Sequence, residues 1–212
     1  MPFRDREQAA EQLAKALEKY RGKNPLILAI PRGAVPMAAR IAEFLGGEAD
    51  VVLVRKLRAP DQPELAVGAI DESGHYYLHP YAQALDLDDA YLEREKQFQM
   101  RTLRERRALY TPARPPVDPK GRVVIVVDDG IATGSTMIAA LQALRVKGPE
   151  RLVAATAVAP ADTLRRLEAY ADEIVCLEVP PYFHAVGEFF EDFSQVSDEE
   201  VVALLRRRRQ SA

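Results

Sequence analysis

The strongest constraint on the fold is a rhythm: short, unbroken apolar runs, each followed by a stretch with helical spacing. The runs fall at 25–30, 51–54, 123–127, 152–158 and 174–177. A strand with one wet face alternates apolar and polar residues, so runs that are apolar throughout call for cover on both faces. Between them, 35–45, 135–146 and 162–170 read as helices, the first closed by Gly46-Gly47. Such alternation is α/β: a central parallel sheet with helices on both faces. Residues 5–20 read as an amphipathic helix with Asp5 as N-cap, and Ser197-Asp198-Glu199-Glu200 as a capping box opening a last helix.

From 55 to 74 the rhythm breaks. Pro60, Pro63, Gly68 and Gly74 interrupt a polar stretch holding one short strand candidate, 66–70. A loop of that length in a compact domain is usually functional or disordered. Residues 76–78 read as a hairpin partner, and 88–110 as a long charged helix with Tyr91, Leu92, Phe98 and Leu103 on its apolar side. Pro112, Pro115, Pro116 and Pro119 make a linker that no helix crosses.

Composition removes several function classes. With 212 residues, a single α/β domain with an added subdomain is the expectation. The 29 basic and 32 acidic residues leave a net charge of −3, which provides no global field for nucleic acid. The apolar runs fall far short of the roughly 20 residues that span a bilayer. Charges at the N-terminus sit where a signal peptide needs its apolar stretch, so the expected location is cytoplasmic. Cys176 is the single cysteine, which excludes an internal disulfide and a multi-cysteine metal site and reads as a small buried hydrophobe. His75, His79 and His184 lack metal-ligand spacing, and no Gly-x-Ser-x-Gly elbow occurs. Arg206 to Arg209 complement the dipole at the end of the last helix.

The chemistry concentrates at 123–137, where a buried strand runs into Asp128-Asp129 and then into Gly130, Ile131, Ala132, Thr133, Gly134, Ser135 and Thr136. Ligands of open parallel sheets bind beyond the carboxyl ends of the strands. The two glycines let successive N–H groups converge, the three hydroxyls add donors, and the helix start adds its positive end: a pocket for one phosphate. The segment lacks the Gly-Lys-[Ser/Thr] ending of a nucleotide-triphosphate loop and the Gly-x-Gly-x-x-Gly dinucleotide fingerprint. Two carboxylates beside a phosphate repel it unless sugar hydroxyls or a divalent cation intervene, and a ribose 5-phosphate unit satisfies both sides.

This segment resembles the phosphoribosyl pyrophosphate (PRPP) motif of the type I phosphoribosyltransferases. The resemblance implies that family's fold, a parallel sheet flanked by helices with a hood subdomain, and implies that Asp128 and Asp129 hold the ribose hydroxyls while residues 130 to 136 hold the 5-phosphate. Pro31-Arg32-Gly33, after the first strand, resembles the family's pyrophosphate loop, and Arg55-Lys56, after the second, its basic pair. The loop at about 57–75 stands where the family keeps its flexible hood, with Glu64 as the first candidate acid, base or orienting group, and 178–212 is a C-terminal extension. Such lids exclude water from an activated sugar.

The implied activity is transfer of 5-phosphoribose from PRPP to a nitrogenous acceptor, a nucleobase by preference, with Mg²⁺ as cofactor and pyrophosphate released. No dedicated protein ligands for the metal are expected, because Mg²⁺ leans on substrate phosphates. Ala132 stands where members using 6-oxopurines usually carry aspartate, so the string is closer to the adenine and xanthine versions. The aromatics of 179–190 are expected to pack against the sheet rather than stack on an acceptor. A non-catalytic PRPP-sensing regulator is the alternative. Small molecules are the expected partners, with no membrane or nucleic acid, and a homodimer follows by family analogy.

Overall fold

The computed structural model describes residues 2–60, 62, 65–85, 87–111 and 116–207. The chain opens with α1 (Arg6–Ala16), a 3-10 turn at Glu18–Tyr20, β1 (Leu26–Ala29), α2 (Ala34–Leu45) and β2 (Glu48–Val51). Then come β3 (Val54–Arg58), β4 (Ala66–Asp71), β5 (Tyr76–Leu78) and the long α3 (Asp89–Tyr110). The second half contains β6 (Val123–Asp128), α4 (Ser135–Arg145), β7 (Arg151–Val158), α5 (Ala161–Leu167), β8 (Glu173–Glu178) and α6 (Asp198–Arg207).

Five strands form a parallel sheet in the order β2-β1-β6-β7-β8. Period-2 alternation sends each run to both faces at once. Ile27, Ala29, Ile125, Val127, Val153 and Ala155 pack with α1 and α2, while Leu26, Leu28, Val124, Val126, Leu152 and Ala154 pack with α4 and α5. That double burial explains the unbroken apolar character of the runs. The chain leaves β1 toward β2 on one side and returns at β6 on the other, so a crevice opens between the carboxyl ends of β1 and β6.

The local signals at the helix ends hold. Asp5 accepts from the Gln8 N–H at 2.7 Å as the α1 N-cap, and Gly46 ends α2 in the left-handed conformation at φ 67°. Ser197 and Glu200 close their capping box with reciprocal bonds of 3.2 and 2.7 Å.

Two readings need correction. The run at 51–54 is not one strand: Val51 ends β2 of the parallel sheet, whereas Val54 begins β3 of a separate antiparallel sheet, β3-β4-β5. The stretch after Arg55 therefore holds more strand than its polar composition indicated. β3 is masked by its alternation, since Leu57 is fully buried while Lys56 is exposed.

Second, the buried face of α3 is not the apolar one expected: Phe98 is exposed, and Glu95, Gln99, Leu103 and Tyr110 are buried. The reason is electrostatic. Glu95 takes Arg58 at 2.9 Å and Gln99 takes Arg55 at 3.0 Å, so the polar residues of α3 face the cations of β3. Farther along, Arg107 bonds Glu72 twice, at 2.6 and 2.5 Å, Asp50 at 3.0 Å and the Val51 carbonyl at 3.1 Å. One guanidinium thus joins α3, β2 and the residue following β4. Burial opposes its charge, but Glu72 and Asp50 outweigh this and hold its pKa above the ordinary arginine value.

Candidate active site at the sheet edge

Asp128 ends β6 in register with Thr156 of β7, and its Oδ1 accepts the Asp129 N–H at 3.0 Å. Burial first, and then the adjacent Asp129 carboxylate, raise its pKa well above the usual carboxylate range, with the Arg6 charge acting the other way. Asp129 leans toward α1, where its Oδ2 accepts from Arg6 Nε at 2.8 Å. Gly33, at the end of the β1 loop, packs against that same oxygen, so any side chain there would collide with it.

The loop that follows is buttressed from behind. Ile131 N–H donates to the Val158 carbonyl at 2.9 Å, Thr163 Oγ1 donates to the Ala132 carbonyl at 2.6 Å, and Arg166 Nη2 donates to the Thr133 carbonyl at 2.9 Å. With its Ile131 N–H held by β7 and its Ala132 and Thr133 carbonyls by α5, the loop turns through Gly134 at φ 75° into α4. The first N–H groups of α4 have no acceptor within the helix, and the Thr133 and Ser135 hydroxyls lie 3.2 Å apart beside them. This rim combines donors and the positive end of an 11-residue helix. Ile131 itself is buried and its N–H is held by Val158, so it shapes the rim without donating to a ligand.

Across the crevice, β1 exits through Pro31, Arg32 and Gly33, with the Pro31–Arg32 peptide cis. Pro31, Arg55, Lys56, Arg58, Arg106 and Thr136 line a cleft of about 390 Å³. Arg55 and Lys56 reach it from inside β3, not from the end of a parallel strand as expected. Burial, and then repulsion from Arg106 and Arg58, lower the Arg55 pKa below its ordinary value, with the Glu95 charge acting the other way. Arg32 is half-exposed, 3.9 Å from Asp198.

Glu64 lies outside the described residues. Val186, in a 3-10 turn at Val186–Phe189, sits directly over Gly130, where a Cβ would collide with its methyl groups. Phe183 stacks on Phe189 at 5.6 Å, and Phe189 and Phe193 pack on the core, in line with the structural role expected for the aromatics. Tyr182 is exposed. Burial pushes the Cys176 thiol up to about 11, away from nucleophilic use at neutral pH. No helix among the described residues is long and apolar enough to cross a membrane.

Two cations were invisible in the sequence. Arg6 meets Asp129 across 123 residues of chain, a pairing no local pattern encodes. Arg106 is one of several arginines on α3, and only the packing of α3 on β3 selects it.

A family model for the phosphoribosyl transferase domain matches residues 4–193. The chain belongs to the phosphoribosyl transferase domain family. A protein of Mycobacterium tuberculosis H37Rv, whose name provisionally assigns it to the phosphoribosyl transferases, is 42% identical over 206 residues, covering 97% of this chain and 46% of that protein. The chain thus spans about half the length of the curated relatives it matches. The crystal structure of TT1426 from Thermus thermophilus superposes with a TM-score of 0.90 at 47% identity, covering 98% of this chain and 99% of that one. The parallel sheet with helices on both faces is the fold expected for a type I phosphoribosyltransferase, and the β3-β4-β5 sheet is the addition that extends it.

Proposed function

We propose that this domain transfers 5-phosphoribose from PRPP to a nitrogenous acceptor, with a nucleobase as the leading class, and releases pyrophosphate. The observation that carries the reading is the meeting of three kinds of group at one sheet edge. Thr136 at the start of α4 lines one cleft with the cations Arg55, Lys56 and Arg106, and the acidic pair lies beside the β1 loop, where Gly33 packs on Asp129; PRPP asks for a phosphate site, a ribose site and a pyrophosphate site close together.

In this reading the rim from Gly130 to Thr136 binds the 5-phosphate through N–H groups and hydroxyls. Asp128 and Asp129 accept hydrogen bonds from the ribose hydroxyls. Pro31, Arg32 and Gly33 approach the pyrophosphate from β1, and Arg55, Lys56 and Arg106 neutralise it from the other wall. The bond from C1 to the pyrophosphate oxygen breaks while the acceptor nitrogen forms a bond to C1 and gives up its proton. Positive charge spreads over the ring in the transition state, as in glycoside cleavage. Fixed cations on the leaving group stabilise that charge separation without reorganising.

Mg²⁺ fits the donor set in the way the ion is usually held on phosphate substrates. Asp128 and Asp129 would hold it through the hydroxyls they bind, and among the described residues no group of three or more His, Cys, Asp or Glu forms a cage. When bound, it supplies further neutralisation of the pyrophosphate. The role of Glu64, which falls between β3 and β4 in the chain and outside the described residues, is part of the same proposal.

The test is a pyrophosphate-release screen with PRPP and a panel of nucleobases, with the Asp128→Asn, Asp129→Asn double variant as control. Release that depends on one base and disappears in the variant supports the reading. A wild-type protein that binds no PRPP at millimolar concentration refutes it.

A further inference from the structure

Arg6 has no part in the sequence-level account, yet it is the cation that meets the acidic pair. Its Nε donates to Asp129 Oδ2 at 2.8 Å and its Nη1 to the Ser194 carbonyl at 2.7 Å, and the guanidinium lies 3.9 Å above the Phe193 ring. Both members of the ion pair are largely buried, at 13% and 14% side-chain exposure. An arginine fixed on three sides has lost its rotamer freedom before any ligand arrives.

The fixing elements come from both ends of the chain. Phe3 and Phe190 form a parallel bridge, with Phe3 N–H donating to the Phe189 carbonyl at 2.7 Å and Glu191 N–H to the Phe3 carbonyl at 2.8 Å. Phe190 packs on Phe3 at 5.4 Å and stacks on Phe193 at 5.0 Å. The same segment carries Val186, which covers Gly130, and Asp198, which accepts from the Tyr110 hydroxyl at 2.9 Å. A strap of residues 186–198 thus crosses the crevice, and Arg6 ties it to the ribose site.

We infer that Arg6 is a positioning residue for Asp129: it takes Oδ2, aims the remaining oxygen, Oδ1, at the ribose, and offsets the repulsion between the acidic pair and an anionic sugar phosphate. The inference rests on the reading of this crevice as a ribose-phosphate site. Among the described residues the side chains that meet the Asp129 carboxylate are Arg6 and the neighbouring Asp128 carboxyl, so a ribose hydroxyl is received by the acidic pair together on the side that Arg6 leaves open. Without Arg6 the carboxylate rotates, and its charge faces the incoming phosphates without a counter-ion. Arg55, Lys56 and Arg106 lie on the other wall and keep their charge without Arg6, so a ligand that is only pyrophosphate depends on Arg6 far less, through the Gly33 backbone that the guanidinium packs against.

That selectivity separates positioning from simple structural support. Ribose 5-phosphate and pyrophosphate are titrated separately by calorimetry into wild type, Arg6→Gln and Arg6→Lys, with a thermal melt of each protein. In Arg6→Gln the affinity for ribose 5-phosphate should fall about tenfold or more, the value of one hydrogen bond to a charged group. Pyrophosphate affinity should stay within about twofold, since its cations are untouched. Lysine keeps the charge but cannot bond Asp129 and Ser194 together, so Arg6→Lys should fall between the two and carries the test if Arg6→Gln does not fold. Wild-type affinity for ribose 5-phosphate in Arg6→Gln, or in Arg6→Lys, overturns the role of Arg6 and leaves the PRPP reading standing. Equal loss of both ligands with a lowered melting temperature overturns it in favour of structural support. Failure of wild type to bind ribose 5-phosphate overturns the parent reading and this inference with it.

Discussion

Arg107→Met should be strongly destabilising although it lies outside the crevice, and its cost can be worked from the contacts. The guanidinium is 12% exposed and faces Asp50 at 1% and Glu72 at 12% exposure. Methionine fills much of the same volume but takes the guanidinium away from two desolvated carboxylates. Asp50 keeps the Val51 and Val117 N–H bonds at 2.8 and 3.1 Å, so it is partly compensated, whereas Glu72 loses both of its bonds to Arg107. Breaking a buried pair by removing one partner costs about 3–5 kcal/mol. For a domain of this size each kcal/mol moves Tm by roughly 2–4 °C, so a drop of roughly 6–20 °C is expected by calorimetry. The triple variant with Asp50→Asn and Glu72→Gln should recover part of that loss, because the stranded charges are gone. A drop under about 2 °C for Arg107→Met would refute the reasoning, since it would mean that water reaches the carboxylates and the network is not desolvated.

Three further outcomes follow from the crevice. Asp128→Asn should stabilise the ligand-free protein at neutral pH. A carboxyl whose folded pKa is raised contributes its stability at pH below the unfolded value and loses it as pH rises through the folded one, so the gain over wild type should shrink to nothing as melts are taken below about pH 4. Gly33→Ala should lower the melting temperature through the buried Arg6–Asp129 pair and not through the backbone, because Gly33 has φ −56° and alanine adopts that freely. Its methyl group collides with Asp129 Oδ2 and lies 3.1 Å from Arg6 Nε, so ribose 5-phosphate affinity should also fall, by about tenfold or more in the same titration. Thr163→Val removes the donor to the Ala132 carbonyl while keeping the shape, and should cost about 1 kcal/mol in a denaturant melt and weaken the 5-phosphate more than pyrophosphate.

The parallel sheet could be read from the chain because its strands are buried on both faces, and double burial writes an unbroken apolar run. The loop proposed as the phosphate rim stands out in the chain because its ingredients are consecutive: two carboxylates, a left-handed glycine and the hydroxyls at a helix start. The antiparallel sheet was harder. β3 alternates Val-Arg-Lys-Leu-Arg, and two of its cations, Arg55 and Arg58, are matched by polar residues on α3, so neither element shows the apolar face that pattern reading seeks. Arg6 could not be found at all from sequence, because its partners at 129 and 193–194 come together only when the ends of the chain meet over the sheet.

The central claim is tested most directly by calorimetric titration of the protein with PRPP, with and without Mg²⁺, beside the Asp128→Asn, Asp129→Asn variant. Saturable binding by wild type that is lost in the variant is the predicted result. Equal binding by both proteins would show that the acidic pair does not hold the ribose, and no binding by either would show that this crevice serves a different ligand.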